Sequence, residues 1–203
     1  MPRIRALFHG LALVIAAIIG ASGLSPAHAQ FDLERQQMLF GGAPRAKNYN
    51  FFGFGGTDAT RTKVSYAGRE APGTIVVNTA ERKLYLVQEG GNALRYSIGV
   101  GRAGFQWKGT HKVSAKKEWP GWTPPPEMRA RVRGLPVHMA GGEDNPLGAR
   151  AMYLGSTLYR IHGSNDPDSI GQAESSGCFR MTNDDVTDLY GRVSVGTTVI
   201  IKN

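Results

Sequence analysis

The chain has 203 residues, 41% of them hydrophobic, and 24 Lys+Arg set against 16 Asp+Glu give a formal net charge of +8. That length is enough for one domain with a real core. A basic balance suits nucleic acid or an anionic surface, but no basic helix, zinc-finger spacing or aromatic RNA-binding strand is present, which excludes the common nucleic-acid modules.

Residues 1–29 have three parts: a basic start at Arg3 and Arg5, an apolar run from Leu11 to Ile19, and Ala27-His28-Ala29. The run falls short of the roughly 20 residues a membrane span needs. The small-residue ending is what a signal peptidase reads, so the segment is expected to be a cleaved secretory signal, with an uncleaved anchor as the alternative. No paired-arginine motif is present, so export as an unfolded chain is expected. Cleavage removes two arginines and no acid, lowering +8 to about +6, a mild charge that suits a cell wall.

Residues 30–66 carry Gly41-Gly42, Pro44 and the aromatic stretch Asn48–Gly56 without a helical or alternating period, and read as an irregular linker or arm. Residues 67–203 form the domain. Thr74–Asn78, Lys83–Val87 and Leu94–Val100, separated by polar or glycine-rich turns, predict a strand meander. Next comes a Pro/Trp-rich insert containing Trp107, Trp119–Pro126, Pro136 and Gly141-Gly142. Its prolines exclude a central strand or helix, and it is either a binding lid or a structural loop packed by its tryptophans. Ala151–Leu154 and Thr157–His162 flank Gly155-Ser156 as a hairpin. Val186, Leu189, Tyr190 and Val193 share one helical face, with Asn183 as the expected N-cap and Asp184 and Asp185 at the positive end of the dipole. Thr198–Ile201 is the last strand. The domain is therefore mainly β with one late helix.

Only one cysteine is present. In an exported protein it is an incidental thiol, an intermolecular bridge or a nucleophile. Its surroundings favour the last. Ile161-His162-Gly163-Ser164-Asn165 ends a strand, and Ser175-Ser176-Gly177-Cys178-Phe179-Arg180-Met181 lies just before the helix. A thiol attacks a carbonyl as thiolate, and an imidazole can take its proton. Gly177 allows close backbone approach, leaving the Gly177 and Cys178 amides to donate to an oxyanion. A helix start aimed at Cys178 would lower its pKa. His111 and His138 lie outside this pattern, and the His and Cys spacing matches no common zinc site.

His-Gly-Ser-Asn followed by Ser-x-Gly-Cys-Phe-Arg-Met resembles the signature of the L,D-transpeptidase (YkuD-type) catalytic domain. The likeness extends over Gly73–Val87, Trp119–Pro126, Asn145–Arg150, Ile170-Gly171 and Asn183–Tyr190. It implies a β-sandwich-like fold and no metal or organic cofactor. It also implies a periplasmic or cell-envelope location, and acylation of the cysteine by carbapenems. Cys178 would attack the diaminopimelate carbonyl of a tetrapeptide stem and expel D-alanine. The resulting thioester would pass to an amine, either of a second stem, giving a 3–3 cross-link, or of an outer-membrane protein. His162 would be the base, with the Gly163 carbonyl orienting its ring. The usual histidine two positions before the cysteine is Ser176 here, so its role does not carry over.

Arg180 either grips a stem-peptide carboxylate or pairs with Asp184, Asp185 or a helix cap. Asn165 and Ser175 hold either substrate or backbone. Four other readings compete. A sortase would need its arginine several residues beyond the cysteine. Papain-like hydrolases place cysteine before histidine. A non-catalytic wall-binding module would have no reason to keep the thiol. Hydrolysis is the outcome if water outcompetes the amine.

Overall fold

The computed structural model describes residues 60–203. The signal segment and most of the arm lie outside the described residues. Among these residues eleven strands follow in chain order: β1 (Thr62–Ser65), β2 (Ile75–Asn78), β3 (Lys83–Gln88), β4 (Asn92–Ser97), β5 (Val100–Gly101), β6 (Gly109–Glu118), β7 (Arg150–Leu154), β8 (Arg160–His162), β9 (Ala173–Ser175), β10 (Phe179–Arg180) and β11 (Thr198–Lys202). Among the described residues two α-helices accompany them, α1 (Pro126–Arg131) between β6 and β7 and α2 (Asn183–Arg192) between β10 and β11, with a short 3-10 turn at Pro167–Ser169.

Nine strands form one curled sheet in the order β1-β4-β3-β2-β11-β6-β7-β8-β10, while β5 and β9 pair separately. The predicted meander is β2-β3-β4, paired antiparallel throughout. The predicted hairpin is β7-β8, with Ala151 opposite His162.

β6 joins the two halves of the sheet. Its first part, Gly109–Lys112, pairs with β11, and Val113–Glu118 pairs with β7 across an irregularity between Val113 and Ala115. A bulge of this kind bends a strand and strengthens its twist, which lets one strand serve both halves. Sequence reading missed β6. Val113 is its one fully buried residue, so the strand lacks the apolar alternation that marks a half-buried element.

The core is shared. Ile75, Leu84, Tyr96, Met152, Ile161 and Phe179 belong to one buried cluster that also takes Val186, Leu189 and Val193 from the helical stripe. Helix α2 is held at both ends. Thr182 is its N-cap, its Oγ1 accepting from the Asp185 N–H at 3.1 Å, which corrects the assignment to Asn183. The Asn183 side chain is used elsewhere, its Oδ1 accepting from the Ala149 N–H at 2.9 Å. At the other end Lys116 Nζ donates to the carbonyls of Tyr190 (2.7 Å) and Val193 (2.6 Å). A cation at the negative helix end is favourable.

Two further expectations need correction. Part of the supposedly irregular arm is ordered, since Thr62–Ser65 pairs with β4 from Arg95 to Asn92. Asp185, fully buried in α2, accepts from both Thr60 N and Thr60 Oγ1 and meets Arg61 at 3.5 Å. The prolines of the insert also do not bar a helix. Pro126 opens α1, where the missing N–H costs nothing and the fixed φ suits a first turn.

Candidate active site

β8 and β10 run parallel, with Ile161 opposite Phe179 and His162 opposite Arg180. Side chains alternate across a sheet. Ile161 and Phe179 face the core, at 0% and 1% exposure. The alternate positions, Arg160, His162, Cys178 and Arg180, all line one cavity of about 400 Å³. Strand pairing thus brings together a histidine and a cysteine sixteen positions apart.

His162 is buried and its Nδ1 lies 2.5 Å from the Gly163 carbonyl. A carbonyl can only accept, so Nδ1 carries the hydrogen and the Nε2 lone pair is left to receive a proton. Burial, reinforced by the charges of Arg180 and Arg160, lowers the His162 pKa to about 3. Cys178 is half-buried. Burial raises its thiol pKa, opposed by Arg160 and Arg180. The resting pair at neutral pH is therefore thiol and imidazole, both uncharged. The expected lowering by a helix start is not realised, since β10 intervenes between Cys178 and α2 and desolvation outweighs the nearby cations.

The loop around Cys178 is tied by side chains. Ser175 Oγ donates to the Cys178 carbonyl at 2.6 Å and accepts from the Gly177 N–H at 3.1 Å. Trp107 Nε1 donates to the Gly177 carbonyl at 2.8 Å. Ser175 is thus a backbone brace that also lines the cavity. The Gly177 amide is already committed to it, so only the Cys178 N–H of the expected pair is left to meet an oxyanion. Gly177 has φ +108°, and a Cβ there would lie 2.4 Å from the Tyr159 ring; both make glycine obligatory.

Arg180 is buried at 7% exposure and lines the cavity. The carboxylates whose charge acts on it are Asp166 and Glu174, rather than Asp184 or Asp185. Burial raises the pKa of both Asp166 and Glu174, with Arg180 pulling the other way. Asn165 lies outside the cavity lining, and its Nδ2 holds the Asp144 carbonyl at 3.0 Å. His138 Nδ1 lies 3.0 Å from Thr123 Oγ1, and His111 packs edge-on against Trp107. Among the described residues, no three His, Cys, Asp or Glu side chains form a group able to hold a metal ion.

Arg160 was not singled out from the sequence. Its Nη1 donates to the Leu158 carbonyl at 3.0 Å, its guanidinium lies 5.0 Å from the Tyr153 ring centre, and its Nε is buried without a partner. The signal was available: two residues before His162 on one strand is the same face. The insert also reaches the site. Trp122, Pro125 and Met128 form one wall of the cavity, as a lid would, whereas Trp107 acts as a strut behind the cysteine loop.

A thiol and a neutral imidazole on the floor of one cavity, beside two guanidinium groups, make a site for nucleophilic acyl chemistry. The family model for the L,D-transpeptidase catalytic domain matches residues 72–201, and the chain belongs to that family. "Probable L,D-transpeptidase ErfK/SrfK" of Escherichia coli (strain K12) is 43% identical over 136 residues, covering 63% of this chain and 43% of the relative. The chain thus spans about two fifths of the length of that relative. "Putative L,D-transpeptidase in ATP synthase subunits region ORF 5" of Fuscovulum blasticum is 33% identical and covers 93% of both chains. The solved catalytic domain of an E. faecium L,D-transpeptidase acylated by ertapenem has a TM-score of 0.51 at 21% identity, covering 66% of this chain and 100% of that one. At that identity the likeness is one of fold.

Proposed function

We propose that this protein is an exported L,D-transpeptidase acting on peptidoglycan stem peptides in the periplasm, with residues 1–29 as its secretory signal. The observation that carries the reading is the alignment of Cys178 and His162 on one cavity face, with His162 Nδ1 fixed to the Gly163 carbonyl. Family membership supports the donor class, a tetrapeptide stem.

In the first half-reaction His162 Nε2 takes the thiol proton as Sγ bonds to the diaminopimelate carbonyl carbon. The Cys178 N–H stabilises the oxyanion. The carbon–nitrogen bond then breaks, and the imidazolium returns the proton to the departing D-alanine amine. In the second half the acceptor amine attacks the thioester and His162 takes its proton. The thiolate leaves and is reprotonated. Arg180 and Arg160 add positive charge where the thiolate and oxyanion develop. The amine of a second stem as acceptor gives a 3–3 cross-link.

The test is mass spectrometry of the mature protein incubated with purified disaccharide-tetrapeptide, beside Cys178→Ala. A dimer lacking one D-alanine, formed only when Cys178 is present, is expected. Tripeptide alone would point to hydrolysis or to a missing acceptor, and outer-membrane protein N-termini would then be supplied. Transfer by a well-folded Cys178→Ala protein would overturn the mechanism.

A further inference from the structure

Four backbone groups surround the Gly177–Cys178 peptide, and three are occupied. Ser175 Oγ takes the Gly177 N–H and the Cys178 carbonyl. Trp107 Nε1 takes the Gly177 carbonyl. The fourth is the Cys178 N–H, the donor assigned above to the oxyanion. In a trans peptide the C=O and N–H point in opposite directions within one plane, and no cis peptide is present in the described chain. Gripping the Gly177 carbonyl therefore also fixes the direction of the Cys178 N–H. Trp107 is not part of the cavity wall, whereas Cys178 is. The indole pulls from behind, and the N–H projects away from it.

The indole is itself held. It stacks on Tyr159 at 4.4 Å between ring centres and 16° between planes, meets Phe179 at 5.5 Å, and takes the His111 ring edge-on at 5.2 Å. Three neighbouring rings leave it little room to turn, so its N–H has a set aim. A left-handed glycine such as Gly177 is a point where the chain would otherwise swivel.

We propose that Trp107 is a positioning residue for catalysis: through its hydrogen bond to the Gly177 carbonyl it sets the orientation of the Cys178 N–H towards the oxyanion of the acyl-transfer step. This rests on the transpeptidase reading. It separates two reactions of the same thiol. Acylation by a carbapenem forms a tetrahedral oxyanion and uses the N–H. Alkylation by iodoacetamide is a direct displacement with no oxyanion and does not use it.

The experiment compares Trp107→Phe with the parent protein, measuring acylation by ertapenem and alkylation by iodoacetamide at one pH, with thermal unfolding alongside. The expected result is roughly tenfold slower acylation with alkylation within about twofold of the parent. His111→Ala removes a packing neighbour and leaves the N–H bond, so its acylation-to-alkylation ratio stays at the parent value. If Trp107→Phe does not fold, β-(3-benzothienyl)alanine at position 107 keeps the indole shape and removes only the donor; it should show the same selective loss. An unchanged ratio in the donor-deleted protein would overturn the proposal, as would an equal change in the ratio for His111→Ala. Failure of ertapenem to acylate the parent protein would instead overturn the transpeptidase reading, and this inference with it.

Discussion

Cys178 and His162 differ from an activated ion pair in one measurable respect. Both are held neutral by burial, the thiol pKa raised and the imidazole lowered to about 3. Thiolate therefore forms only as pH rises. The rate of Cys178 alkylation by iodoacetamide should climb with pH, with a midpoint above the ordinary thiol value of about 8.5. Arg160→Met removes a cation that lowers the thiol pKa, so the midpoint should move higher still. A reactive plateau extending into the acid range would show a thiolate–imidazolium pair and contradict this account. At this scale the sequence was most informative: His-Gly-Ser-Asn and Ser-x-Gly-Cys located the histidine and cysteine that line one cavity. It misled about Gly177, whose amide is free only as long as the Ser175 hydroxyl two positions earlier is ignored. Asn165 could be placed near the site by sequence but not aimed, because its target is a carbonyl 21 positions away.

The elements were legible in proportion to how much of each is buried. β2, β3 and β11 are short apolar runs, and α2 has an apolar stripe. β6 has neither, because its role is to bridge two halves of a sheet rather than to cover a core. α1 has 6 residues, fewer than two turns, and no buried residue, too short for a period to register. The start of α2 shows a subtler failure. Thr182 and Asn183 are both good caps by type, and the choice was made by the Ala149 amide, which occupies Asn183. Thr182→Ala should therefore cost about 1 kcal/mol in urea unfolding, with Thr182→Ser recovering most of it. No loss in Thr182→Ala would mean that the cap contributes nothing beyond the packing of the helix.

For the molecule as a whole, the boundary read at residue 67 falls too late. Thr60 and Arg61 supply three polar contacts to the buried Asp185, and β1 covers the outer edge of β4. A buried carboxylate stripped of its partners is costly, and an uncovered strand edge invites association. A chain trimmed to begin at Tyr66 should be roughly 2–3 kcal/mol less stable than one beginning at Thr60, seen as a Tm lower by about 5 °C or more. Equal Tm values would show that the segment is a passive appendage. Composition gave no hint of this contact, since a polar four-residue strand and a Thr-Arg pair are ordinary in a tether. Their meaning comes from a helix residue more than a hundred positions away.

The insert that walls the cavity leaves and re-enters the sheet at one place. Glu118 and Arg150 are paired neighbours at the ends of β6 and β7, joined by a 3.2 Å ion pair, and the Trp119 N–H meets the Ala149 carbonyl at 2.8 Å. The segment 119–149 leaves and returns through a closed hairpin mouth, with one further tie where Asn165 Nδ2 donates to the Asp144 carbonyl. Chain length beyond such a closure costs little, about 0.6 kcal/mol per doubling. A segment closed in this way can change in length at little entropic cost while β6 and β7 keep their register. The wall of the cavity and the floor that carries Cys178 and His162 are thus separate stretches of chain, and one can vary without the other.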